Sequence, residues 1–311
     1  MYKIIQKRKI WIGISIVLLT ASIVMISMWG LKMGIDFTGG SLLEAKFSGT
    51  EPTVVEVQDS LKDLQLNSLS VQPTEDSVIL RFQENSEETH QKVLATLRAL
   101  AKEKNPVQAA GSTAVTNFEE LSFNSIGPSI GKELQRKAVS SIILVLLAIS
   151  LYIAYAFRKV SKPIESWKYG IVTLVALFHD AIITIGFYAF LGKFFGVEVN
   201  TSFIAAVLTV IGFSVHDTIV VFDRIRENLP KSTTDFENTV NVSINQTLTR
   251  SINTTLTVLI VLACVTFLGG MSIKYFAMSL LVGIFFGTYS SIFLASPLLV
   301  VWEHFRKRKN Q

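Results

Sequence analysis

The sequence predicts an α-helical polytopic membrane protein with six transmembrane helices and one small extracytoplasmic α+β domain inserted after the first helix. Half of the 311 residues are apolar and only 17% are charged, too greasy a balance for a soluble chain of this length. Six stretches reach the ~20 apolar residues that a hydrocarbon core about 30 Å thick requires. Between the first two lies a segment of different texture, with short alternating runs and charged helical stretches.

The apolar stretches are Ile10–Trp29, Ala138–Phe157, Tyr169–Leu191, Ser202–Phe222, Ser251–Leu268 and Tyr275–Trp302. An even number of spans puts both termini on one side, and charge selects the side. Residues 34–136 hold 15 acidic and 9 basic groups, and the rest of the chain 9 acidic and 20 basic. The basic excess clusters at Lys7 to Lys9, at Arg158, Lys159 and Lys162, at Arg224 and Arg226, and at Arg306 to Lys309, whereas the opposite short loops offer only Lys193 and Lys274. The positive-inside rule therefore predicts cytoplasmic termini. The division that follows is a tail and first helix (1–33), the external domain (34–136), helices two to six (137–302) and a basic tail (303–311). The net charge of +5 reports topology and contact with anionic membrane lipids; no basic patch on a soluble surface points to nucleic acid.

The exit of the first span, Met28-Trp29-Gly30-Leu31-Lys32, lacks a small-residue cleavage pattern, so the span reads as an uncleaved anchor. The single cysteine, Cys264, lies in the fifth span, which excludes an intramolecular disulfide and a thiolate metal cluster and reads as a small packing residue.

In the external segment Ser41–Phe47 is strand-like, and Thr53 with Glu56 forms a capping box for a helix through about Leu64. Strands at Leu69–Val71 and Ser77–Phe82 flank a turn at Pro73–Asp76, a second amphipathic helix covers Glu87–Lys104, and a last strand covers Ala114–Phe123. The order β-α-β-β-α-β is the ferredoxin-like arrangement. About 85 residues suffice for one modest core.

On the cytoplasmic side Phe236, Val240, Ile244 and Leu248 recur one turn apart, which predicts an amphipathic helix over about 235–249 lying in the membrane interface before the fifth span. In the last span Ser279, Gly283, Gly287, Ser291 and Ala295 recur every four residues, a seam that lets another helix approach closely.

Ionisable groups inside spans cost about 2.5–3.5 kcal/mol each even on the gentler insertion scale, so each needs a reason. Two carboxylates stand out, Asp217 about six residues inside the fourth span and Asp180 near the middle of the third. At the rim of the fifth span Arg250 joins Gln246, Asn253 and Thr257 in a polar stripe. A buried aspartate with a movable cationic partner can take up and release a proton, which makes Asp217, Arg250 and Asp180 the candidate proton relay, with His216 beside it. The alternative for either aspartate is a structural carboxylate that caps polar groups between helices, and it weighs more for Asp180, for which no basic residue of matching depth is apparent. His179 and His216 each precede an aspartate, but adjacent helical residues point about 100° apart and neither histidine has an i, i+4 partner, so no metal is expected. Hydrolase and P-loop signatures are absent, which excludes ATP as an energy source within the chain and leaves no enzyme expected.

Directly after the first span the run Gly34-Ile35-Asp36-Phe37-Thr38-Gly39-Gly40 resembles a motif of the SecD/SecF family of protein-export subunits. Residues 126–134 (IGPSIGKEL), His179-Asp180, residues 212–228 (GFSVHDTIVVFDRIREN), residues 245–255 (NQTLTRSINTT) and residues 287–297 (GTYSSIFLASP) resemble it too, and the likeness covers the whole chain on the SecF side of the family. One departure is His216, where the family pattern has an amide residue before the aspartate. The resemblance implies a proton-driven role in late protein translocation across a bacterial cytoplasmic membrane, no cofactor, and membership of the resistance-nodulation-division superfamily, whose transport unit has twelve spans. The partners it implies are SecD, the SecYEG channel, YajC and exported preproteins. It places the relay on Asp217 and Arg250. A small-molecule exporter of the same superfamily and a passive scaffold are the competing readings; the exporter expects larger, duplicated external domains, and the scaffold expects no need for Asp217.

Overall fold

The computed structural model describes residues 1–48, 50–74, 77–104, 118–158 and 165–309. Glu75 and Asp76 of the expected turn, residues 114–117 of the expected last strand, and Lys159 and Lys162 lie outside them. The described helices are α1 (Arg8–Trp29), α2 (Ile35–Thr38), α3 (Val54–Ser60), α4 (Glu87–Lys104), α5 (Pro128–Ala156), α6 (Ser166–Phe195), α7 (Thr201–Asn228), α8 (Phe236–Leu268), α9 (Met271–Ser290) and α10 (Ser296–Lys309). The strands are β1 (Gly40–Phe47), β2 (Ser70–Pro73), β3 (Val78–Phe82) and β4 (Phe118–Ile126). The chain forms two compact units, residues 33–137 and the remainder.

The smaller unit is a four-stranded antiparallel sheet in the order β2-β3-β1-β4. Two helix-bearing connections and that order make it the ferredoxin-like arrangement the sequence predicts. Alternate residues Leu43, Ala45 and Phe47 of β1 and Leu80 and Phe82 of β3 are buried with Val57 of α3 and Val93, Leu94 and Leu97 of α4. The capping box forms as expected, with Glu56 N donating to Thr53 Oγ1 and Thr53 N donating to Glu56. The Lys104 ammonium, and then this cap, lower the Glu56 carboxyl pKa to about 2. The paired glycines that open β1 have a steric reason. Gly39 and Gly40 take φ of +77° and +129°, and a Cβ would stand 2.8 Å from Pro128 Cα at the first and 2.7 Å from Phe82 O at the second.

Among the described residues of the larger unit six helices are long and apolar enough to cross a membrane, the sixth formed by α9, a π turn at Ser291–Ala295, and α10. Asn200 caps α7 and Asp235 caps α8 through their side chains. At the end that carries the N-terminus, Ile5, Tyr169, Phe222, Ile244 and Leu299 build an apolar core. The N-terminal segment is clasped onto α8 there: Ile4 N and Ile5 N donate to Asn241 Oδ1 at 3.0 and 3.2 Å, and Arg8 pairs with Glu237 at 2.6 Å.

Two features differ from the sequence reading. The stretch 235–249 is no separate interfacial helix; it is the first half of the unbroken 33-residue helix α8, and Phe236, Val240 and Ile244 pack into the core. The same apolar stripe that suits a lipid surface is used against protein. Cys264 is exposed on α8 and packs no interior.

The small-residue seam is buried throughout, at Ser279, Gly283, Gly287, Ser291 and Ala295. It faces α7: a Cβ on Gly283 would collide with Val210 and stand 2.9 Å from Thr184 Oγ1, and one on Gly287 would stand 2.9 Å from Ser214 Cβ. Such close backbone approach is what small residues at a membrane-helix interface allow.

Candidate functional site

Close approach of α7 and α9 brings short polar side chains within reach of two carboxylates. Asp217 on α7 is buried, and its Oδ2 accepts hydrogen bonds from Thr288 Oγ1 of α9 at 2.8 Å and Thr255 Oγ1 of α8 at 3.5 Å. The two threonine hydroxyls lie 2.7 Å apart. Asp180, at the middle of α6, is fully buried. Its Oδ2 accepts from Ser214 Oγ of α7 at 2.5 Å and Ser290 Oγ of α9 at 2.7 Å, and its Oδ1 stands 2.9 Å from His179 Nδ1.

The two clusters are neighbours. Ser214 precedes Asp217 by about one turn of α7, and between them Ser291 donates to Ser214 O at 3.1 Å and lies 2.8 Å from Thr218 Oγ1. Ser291 opens the π turn, a helical irregularity that recurs at functional sites. Hydroxyls suit proton exchange, because each donates to a carboxylate and can turn to accept from a protonated carboxyl. The arrangement can therefore hold either aspartate in both states with its hydrogen bonds made.

The structure brings Asp180 and Asp217 to one seam and leaves Arg250 and the supporting polar residues elsewhere. Arg250 is exposed on α8, and its side chain forms no hydrogen bond or ion pair among the described residues. The reason is helical phase: Ser251 and Thr255 face inward, which turns the preceding residue outward. His216, Asn253 and Thr257 are exposed as well. Gln246 is exposed and bonded, accepting from Arg224 Nε at 2.7 Å and Asn228 Nδ2 at 2.9 Å. The hydroxyl partners Ser214, Thr255, Thr288 and Ser290 escaped the sequence reading; the four-residue spacing of Ser251 and Thr255 was the one available signal.

Comparison with known proteins places the chain in a family. The sequence pattern of "Protein export membrane protein SecD/SecF, C-terminal" matches residues 107–305, and that of the "SecD/SecF GG Motif" matches residues 30–51. The chain belongs to the SecD/SecF family. Among its relatives, the protein translocase subunit SecF of Thermobaculum terrenum is 41% identical, the match covering 98% of this chain and 95% of that one. SecF of Anaerolinea thermophila is 39% identical, over 97% and 94%. The crystal structure of SecDF, a translocon-associated membrane protein from Thermus thermophilus, superposes with a TM-score of 0.80 at 30% identity. That match covers 97% of this chain and only 39% of the SecDF chain. The family's GG motif contains the Gly39–Gly40 pair whose backbone no side chain fits.

Proposed function

We propose that this membrane subunit of the Sec protein-export machinery works with SecD to turn the proton-motive force into late protein translocation across the bacterial cytoplasmic membrane. The observation that carries the proposal is the pair of buried carboxylates, each ringed by hydroxyls, on one seam of a membrane bundle. A proton crossing 100 mV supplies about 2.3 kcal/mol, enough to bias a two-state equilibrium nearly fifty-fold. SecD as the partner is supported by the SecDF chain, of which this chain spans 39%, and by the outward polar residues His216, Arg250, Asn253 and Thr257, which suit protein better than lipid. SecYEG, YajC and the preprotein substrate belong to the same proposal, and the external domain is its moving element.

Inverted membrane vesicles depleted of this chain should lose the gradient-stimulated part of preprotein export and regain it when the chain is restored with SecD. Stimulation that survives depletion would reject the proposal.

The charge pattern supports cytoplasmic termini and an external 34–136 domain. In a chain carrying Cys264→Ala, a membrane-impermeant thiol reagent added outside intact cells should label Ser86→Cys and spare Ser232→Cys. The reverse labelling would overturn the orientation.

A further inference from the structure

The imidazole of His179 is buried to 3% side-chain exposure in the middle of a membrane helix, and its Nε2 has no hydrogen-bond partner among the described residues. Its other nitrogen stands 2.9 Å from Asp180 Oδ1. A buried polar nitrogen left unpaired is costly, and such exceptions in native structures call for a role.

The surroundings of that nitrogen are set by helix register. Helices α1 and α6 run parallel: a Cβ on Gly186 would touch Ser22, and farther along Trp29 packs on Phe194. Stepping back two turns, seven residues on each helix, from Ser22 and Gly186 brings Ser15 level with His179. One turn beyond Ser15 is Trp11, whose Nε1 is likewise buried and unpaired among the described residues and whose carbonyl accepts from Tyr289 Oη at 3.0 Å. Residues 10–29 of α1 contain no charged or titratable side chain. From α7 the groups facing the pair are Ser214 and, a turn on, Asp217; from α9 they are Thr288, Tyr289 and Ser290, with Ser291 from the π turn. Lys168 is three turns away along α6, and Glu303 belongs to α10. No lysine or arginine faces Asp180 among the described residues.

We propose that His179 is a proton-transfer residue that loads Asp180 from the α1 side of the bundle. The step balances on the imidazole. A proton joins Nε2, the Nδ1 proton passes to Asp180 Oδ1, and the ring is left neutral with its hydrogen on Nε2. Asp180 then holds the proton beside Ser214 and Ser290, one turn of α7 from Asp217. The inference rests on the proton-coupling reading for its purpose, but the His179–Asp180 exchange is separately measurable.

The test is infrared difference spectroscopy of the purified full-length protein in detergent across an acid titration. A carboxyl C=O band should grow on acidification and be missing in Asp180→Asn. In His179→Gln, which keeps amide hydrogen bonding and removes the titratable ring, its midpoint should move by roughly one pH unit or more. Gradient-driven export in vesicles should shift its pH profile in the same direction. An unmoved midpoint, or a band indifferent to Asp180→Asn, overturns the proposal. Should His179→Gln not fold, the wild-type protein decides with isotope-labelled histidine: a ring mode and the carbonyl band should share one midpoint, and separate midpoints overturn it. Gradient stimulation that survives Asp217→Asn would sink the coupling reading and leave the infrared result standing on its own.

Discussion

Asp217→Asn is expected to abolish gradient stimulation of export, a loss of up to about fifty-fold for a driving force of 100 mV. The amide has the shape of a protonated carboxyl and can still accept from Thr288 and Thr255, so the helices it joins stay packed and the protein inserts normally. What disappears is the exchangeable proton. Asp217→Glu keeps a titratable group on a longer arm and should retain partial stimulation. Arg250 faces outward on α8, where a partner subunit would meet it; as a relay member across that face, Arg250→Ala should resemble Asp217→Asn, and the double mutant should cost little beyond either, because members of one relay are not additive. Gradient-dependent translocation in vesicles reads all four variants. Full stimulation in Arg250→Ala would remove that residue from the relay, and an active Asp217→Asn would make the carboxylate structural.

Gly283→Leu is expected to have the largest effect on assembly. Its first added atom already meets Val210 and Thr184, in a seam with no room to relax except by parting α7 from α9. Overpacking of an interior costs about 1–3 kcal/mol and occasionally more, and separating these helices would also break the contact of Thr288 with Asp217. The variant should show a lower midpoint of thermal aggregation in detergent and less complex with SecD. Gly13→Leu is the matched control, since a Cβ there meets nothing within 4 Å. Equal behaviour of the two would mean that the seam opens at little cost.

Much of this architecture was readable in the sequence because the signals are long. Twenty apolar residues, an alternation over β1, and the Thr53–Glu56 pair each depend on chemistry within a single segment. Asp180 and Asp217 were visible for a related reason, since a carboxylate in a span is rare enough to be noticed alone. Their partners were not. Ser214, Thr255, Thr288 and Ser290 are ordinary in membrane helices, and their meaning arises only where α6, α7, α8 and α9 meet in a particular register. Consecutive side chains on a helix diverge by about 100°, which in the sequence argues against a shared metal site at His179 and Asp180, yet the imidazole is long enough to fold back onto its neighbour. The one-turn spacing of Gln246, Arg250, Asn253 and Thr257 defines a stripe but not which way it faces, and one residue of helical phase separates Arg250 from the inward Ser251 and Thr255.

The unbroken course of α8 makes it a stiff rod rather than two hinged pieces. From Thr255, beside Asp217, to Asn241, which grips the N-terminal segment, is fourteen residues, about 21 Å at 1.5 Å per residue. A tilt of about 5° pivoting at Thr255 would swing Asn241 by about 2 Å, with nothing in the helix to absorb it. Hydrogen bonds of 3.0 and 3.2 Å do not survive such a stretch, so the first residues of the chain must travel with the rod or let go of it.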